Sequence, residues 1–142
     1  MKKTILVSAL GFLAITANAQ KIKETDVPAP VKAIFVKQYP AAKAKSWEKE
    51  KANYEVAFDF NKAEMSLLID ATGSILETET EIKVTELSKP IADYCLKNYA
   101  GKSIKEASKI VDAKGVITYE AEINKTDVLF DVNGKFIKET QD

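Results

Sequence analysis

The chain has 142 residues, and its 21 basic residues balance its 21 acidic ones, so the formal net charge at pH 7 is zero. Every basic residue is a lysine; without guanidinium forks for guanine edges and phosphates, and without a net positive field, nucleic acid is excluded as a natural partner. Histidine is absent, which excludes Ser-His-Asp and Cys-His nucleophiles and zinc sites of the usual kind, and a lone cysteine excludes an intramolecular disulfide.

Lys2 and Lys3, an apolar run over residues 5–15 and the small-residue segment Ala17-Asn18-Ala19 read as a secretory leader, residues 1–19, cleaved after Ala19. The run is shorter than the roughly 20 apolar residues of a membrane span, and a Lys-rich stretch follows it. Gln20 stands where a lipid anchor would need cysteine. The expected product is periplasmic or secreted, makes no membrane contact after cleavage, and has roughly 120 residues, the size of one compact domain. Residues 20–25 are expected as a polar lead-in without regular structure.

Beyond them the chain repeats itself at a period of about sixty residues. Val27-Pro28-Ala29-Pro30-Val31, Ile34-Phe35 and Tyr39-Pro40 are answered by Leu87-Ser88-Lys89-Pro90-Ile91, Tyr94-Cys95 and Tyr99-Ala100-Gly101. Tyr54-Glu55 is answered by Tyr119-Glu120, and Asp70-Ala71-Thr72-Gly73 by Asp131-Val132-Asn133-Gly134. Each unit is expected to open with a helix, capped by Asp26 or Ser88 and admitting proline in its first turn. The apolar stripes are Val31, Ile34, Phe35 and Tyr39 in one helix and Ile91, Tyr94, Cys95 and Tyr99 in the other. After each helix the period falls to two. Tyr54, Val56, Phe58 and Phe60 then oppose Glu55, Ala57 and Asp59, while Ile117, Tyr119, Ala121 and Ile123 oppose Thr118, Glu120 and Glu122. Further strands are expected near residues 45–50, 65–70, 75–82, 104–111, 127–131 and 135–140. The fold class expected is therefore α+β: a tandem duplication of a helix followed by a roughly four-stranded antiparallel sheet, with each helix packed on one sheet face. The first repeat covers residues 26–82 and the second residues 83–142, both within one compact domain.

Val27-Pro28 through Tyr39-Pro40, Trp47-Glu48, Tyr54-Glu55-Val56 with Phe58, Asp70 to Gly73 and the Glu77-Thr78-Glu79-Thr80-Glu81-Ile82 run, with their second-repeat counterparts, resemble the PepSY-like, beta-lactamase-inhibitor-like proteins exported by Bacteroidetes. The similarity spans essentially the whole chain after the leader. It implies a tandem helix-plus-sheet fold similar to beta-lactamase inhibitory protein and a relationship to the PepSY domains of protease propeptides. The units of that inhibitor are disulfide-stabilised, and a lone Cys95 departs from that pattern.

The chemistry on offer is sparse. Two carboxylates can serve a hydrolase without histidine, so Glu55 with Glu120, or Asp70 with Asp131, would have to meet within about 5–10 Å. Asp70 and Asp131, each with a glycine three residues on, suit tight hairpins better than calcium loops, which need more carboxylates at alternate spacing. No cofactor and no metal site is expected, and Cys95 in a helical apolar stripe reads as a buried small hydrophobe. Glu77, Glu79 and Glu81 share one strand face; with Glu55, Asp59 and Glu120 they form either a solvated face or an acidic docking surface for a Lys-rich or Arg-rich partner. Trp47 is a core cap or an aromatic anchor, and Lys45 and Lys49 on its strand face favour exposure. The expected function is a non-enzymatic binding or inhibitory module that holds an exported protein or peptide on the open sheet face. A carboxylate-pair hydrolase and a structural envelope component are the alternatives.

Overall fold

The computed structural model describes residues 19–141, so the expected leader, apart from Ala19, lies outside the described residues. A three-residue strand, β1 (Gln20–Ile22), leads through a single 3-10 turn (Glu24–Asp26) into helix α1 (Ala29–Gln38). Strands β2 (Ala44–Glu50), β3 (Asn53–Phe60), β4 (Ala63–Asp70) and β5 (Ile75–Ile82) follow. A second 3-10 turn (Val84–Glu86), helix α2 (Lys89–Asn98) and strands β6 (Glu106–Asp112), β7 (Ile117–Ile123), β8 (Thr126–Asp131) and β9 (Phe136–Gln141) complete the order. The strands form one antiparallel meander of nine, neighbours in sequence being neighbours in the sheet.

This corrects the expected fold class of a helix with a roughly four-stranded sheet, twice over. A period of two marks each strand and its buried face, but it carries no information on whether a strand ends one sheet or continues the next. The lead-in also departs from expectation. Residues 20–22 pair with β2, placing Ile22 opposite Trp47 and against the core. One apolar residue among lysines is too weak a signal to announce a strand.

The chain divides into two compact units, the first ending at Thr78 and the second starting at Glu79. In the first, Val31 and Phe35 of α1 press onto Trp47, Tyr54, Val56, Phe58, Leu67 and Ile69 of β2, β3 and β4. The Phe35 ring meets Trp47 edge-on at 5.8 Å and Phe58 at 5.0 Å, and Tyr39 lies 4.7 Å from Phe58. In the second, Ile91 and Cys95 of α2 press onto Ala107, Ala121, Ile123, Val128 and Phe130, with Tyr94 stacked on Phe136 at 5.1 Å. Burial pushes the Cys95 thiol pKa up, away from the thiolate that reactivity would need.

The helix starts differ in detail from the sequence reading. Asp26 closes the 3-10 turn and Pro28 occupies the cap position of α1; Ser88 does cap α2, but its hydroxyl makes no cap hydrogen bond. Both helices end on a tyrosine whose N–H still bonds back, to Phe35 and Cys95 respectively, and Pro40 prevents the first from continuing.

Two kinds of turn set the strand registers. Asn61-Lys62 and Asn124-Lys125 are two-residue hairpin loops with positive φ at both positions, the geometry that matches the natural twist of paired strands. At Asp70, Asp112 and Asp131, an aspartate Oδ1 accepts the backbone N–H groups two and four residues on, and a glycine with φ between 81° and 90° closes the loop. These carboxylates are committed to turn formation, which answers both the calcium and the Asp70–Asp131 hydrolase readings.

Candidate functional site

Each unit leaves one sheet face without a helix. In the first unit the registers of β1 to β4 define its rows. Lys21, Glu48, Glu55 and Leu68 lie opposite one another in succession, and next to them runs a floor of small residues, Ser46, Ala57 and Ser66. Beyond the floor Asp59 stands opposite Glu64. A β-bulge between Ala44 and Ser46 swings Lys45 toward that pair, where its Nζ donates to Asp59 at 3.1 Å and Glu64 at 3.3 Å. The two carboxylates hold the ammonium proton and raise the Lys45 pKa. On this face Glu55, Ser66 and Leu68 are buried, while Ser46, Glu48, Ala57 and Glu64 are partly exposed and Asp59 is exposed.

In the second unit the registers place Glu106, Glu122, Asp127 and Thr140 in one row, and Ser108, Glu120, Leu129 and Lys138 in the next. A third row holds Ile110, Thr118 and Asp131. Glutamates and aspartates therefore recur at directly opposed positions, where side chains stand about 4.5–5.5 Å apart at Cβ.

The candidate residues fall into three groups. Trp47 lies on the helix side, opposite Val56, and is only 4% exposed. Its expected exposure is corrected for two reasons: the bulge takes Lys45 off its face, and Lys49 stays exposed by reaching over the Tyr54 ring. Among the described residues its Nε1 finds no hydrogen-bond acceptor. Glu55, Glu77, Glu79 and Glu120 are on strands as expected but are buried, Glu55 to 4% exposure, as deeply as several of the core apolar residues. The solvated face foreseen for them is corrected: their opposite neighbours, Leu68 for Glu55 and Leu129 for Glu120, are themselves buried, so the carboxylate stems pack on apolar surface. Asp59 is exposed and Glu81 partly so, as a surface role requires.

The structure brings Glu48 to Glu55 and Glu64 to Asp59, and the sequence reading missed Glu48, Glu64, the small-residue floor and the Glu106–Glu122–Asp127 row. The signal was present in the turn chemistry. Two-residue loops at Asn61-Lys62 and Asn124-Lys125 fix which residues stand opposite, and from them the acidic pairs can be read directly. Among the described residues no group of three or more histidines, cysteines, aspartates or glutamates is arranged to hold a metal ion.

The family model described as "Putative beta-lactamase-inhibitor-like, PepSY-like" matches the chain twice, over residues 13–77 and 75–138. No curated protein is significantly similar to it. Among solved structures, a "putative periplasmic" protein of Bacteroides eggerthii superposes with a TM-score of 0.72 at 15% identity, covering 81% of this chain and 88% of the other. A BLIP-like protein of Bacteroides fragilis does so with a TM-score of 0.64 at 19% identity, covering 80% and 86%. These likenesses establish the fold that the two chains share with this one.

Proposed function

Because the chain belongs to the beta-lactamase-inhibitor-like, PepSY-like family, we propose that it is a non-enzymatic exported binding module whose helix-free sheet face in the first unit holds an extended, lysine- or arginine-bearing segment of another exported protein. The observation that carries this reading is the set of accessible carboxylates that the strand register gathers on that face. Beside the small, partly exposed Ser46 and Ala57, the partly exposed Glu48 and Glu64 and the exposed Asp59 offer carboxylates to basic side chains. Export is supported by the leader-like residues 1–19 and by the periplasmic description of the similar Bacteroides eggerthii protein.

Two features weigh against the alternatives. A carboxylate-pair hydrolase needs two acids free to exchange a proton, whereas Asp70 and Asp131 each accept the backbone N–H groups of their own turns. An envelope component docking through sheet edges would need a long flat edge strand. Here β1 has three residues, and a bulge between Leu129 and Phe130 disturbs the pairing of β9.

The test is a binding titration with two fluorescent peptides of equal length, one alternating lysine with alanine and the other glutamate with alanine. The lysine peptide is expected to bind, to weaken as salt rises, and to lose at least tenfold in affinity on Glu48→Lys, while Lys37→Glu on α1 leaves it unchanged. Equal binding of both peptides, or indifference to Glu48→Lys, would overturn the reading.

A further inference from the structure

We infer that Gln20, released as the first residue once the leader is cut after Ala19, closes into a pyroglutamyl lactam; the inference rests on that cleavage. The reaction needs no partner molecule. The α-amine nitrogen attacks the side-chain carbonyl carbon Cδ, the bond from Cδ to the amide nitrogen breaks, and that nitrogen leaves as ammonia after taking up a proton from the attacking amine. Nothing is oxidised or reduced. Glutamine is the one neutral side chain that places its carbonyl at the right distance for a five-membered ring.

The fold gives this small change a purpose. β1 begins at Gln20, which is exposed, so both reacting groups are open to solvent. A charged amine there would stand opposite Lys49, next to Lys21 and close to Lys23, a crowd of like charges that lactam formation relieves by removing one of them. Two residues on, Ile22 lies opposite Trp47 and packs on the core of the first unit. An aminopeptidase nibbling from a free Gln20 would remove β1 and uncover the edge of that core; a lactam offers it no free amine. The leader-peptidase site and the edge strand thus meet at one residue whose chemistry protects the strand.

The experiment is mass spectrometry of the protein recovered from cells that export the full chain, beside the Gln20→Asn variant. The expected wild-type mass is that of residues 20–142 less about 17 Da, the mass of ammonia, with resistance to aminopeptidase that pyroglutamyl peptidase abolishes. The asparagine variant would need a four-membered ring, so it should keep its full mass and be trimmed. A wild-type chain starting at Gln20 with its full mass overturns the lactam and leaves the cleavage standing; a chain starting at any other residue overturns both.

Discussion

Gly134→Ala should cost this protein more than Gly115→Ala, because two penalties coincide at Gly134, as they also do at Gly73 against the Pro30 backbone. Gly134 has φ of +81°, where a side chain is disfavoured by about 1–2 kcal/mol. An added Cβ would also lie 2.9 Å from Pro90 Cβ, 3.0 Å from Ser88 Oγ and 3.3 Å from Ile91 Cγ1, so the hairpin tip would have to lift off the start of α2. Such overpacking costs about 1–3 kcal/mol, giving about 2–5 kcal/mol in all. Gly115 is the internal control. It closes the same kind of aspartate turn with the same φ of +81°, yet nothing lies within 4 Å of its added Cβ. Urea unfolding of the two variants should therefore differ by about 1–3 kcal/mol, or by several degrees in melting temperature for a domain of this size. Equal destabilisation of Gly134→Ala and Gly115→Ala would refute the claim that the β8–β9 turn is seated against the start of α2.

Phe35→Ala should destabilise the first unit by about 3–5 kcal/mol, since its ring fills the space between Trp47 and Phe58. The same variant should shift Trp47 emission to the red and admit acrylamide quenching; quenching of the wild type as strong as that of free tryptophan would contradict the burial of Trp47. The Asp70 carboxyl is held below the usual carboxylate range, first by the Thr72 hydroxyl and then by the Ser74 N–H. Its depressed pKa means that its contribution is present above the unfolded value and is lost as pH falls through the folded one. Asp70→Asn should therefore flatten the acid limb of the stability–pH curve below about pH 4, and an unchanged limb would count against the turn's role.

The two helices were legible in the sequence because apolar residues recur at three and four and proline marks each first turn. The strands were legible because Tyr54, Val56 and Phe58 alternate with polar residues. Sheet continuity was not, because pairing between successive strands is decided by turns and edges rather than by periodicity. The side of Trp47 was misjudged because a bulge at Ala44–Ser46 breaks the alternation on which that judgement rested, moving Lys45 to the opposite face. The depth of Glu55 and Glu120 was hidden for a related reason. A carboxylate in an alternating strand reads as solvated, and only the cross-strand register shows that each faces a buried leucine. That register also shows the acidic pairs Glu48–Glu55 and Asp59–Glu64, which stand side by side across neighbouring strands.

The claim on which the functional account depends is that the helix-free face of the first unit receives a basic extended segment. Backbone amide NMR of the labelled protein, titrated with the alternating lysine–alanine peptide, tests it most directly. The account predicts shifts at Ser46, Glu48, Ala57 and Ser66 with little change along α1. Shifts confined to α1, or spread evenly over every acidic side of the protein, would contradict it.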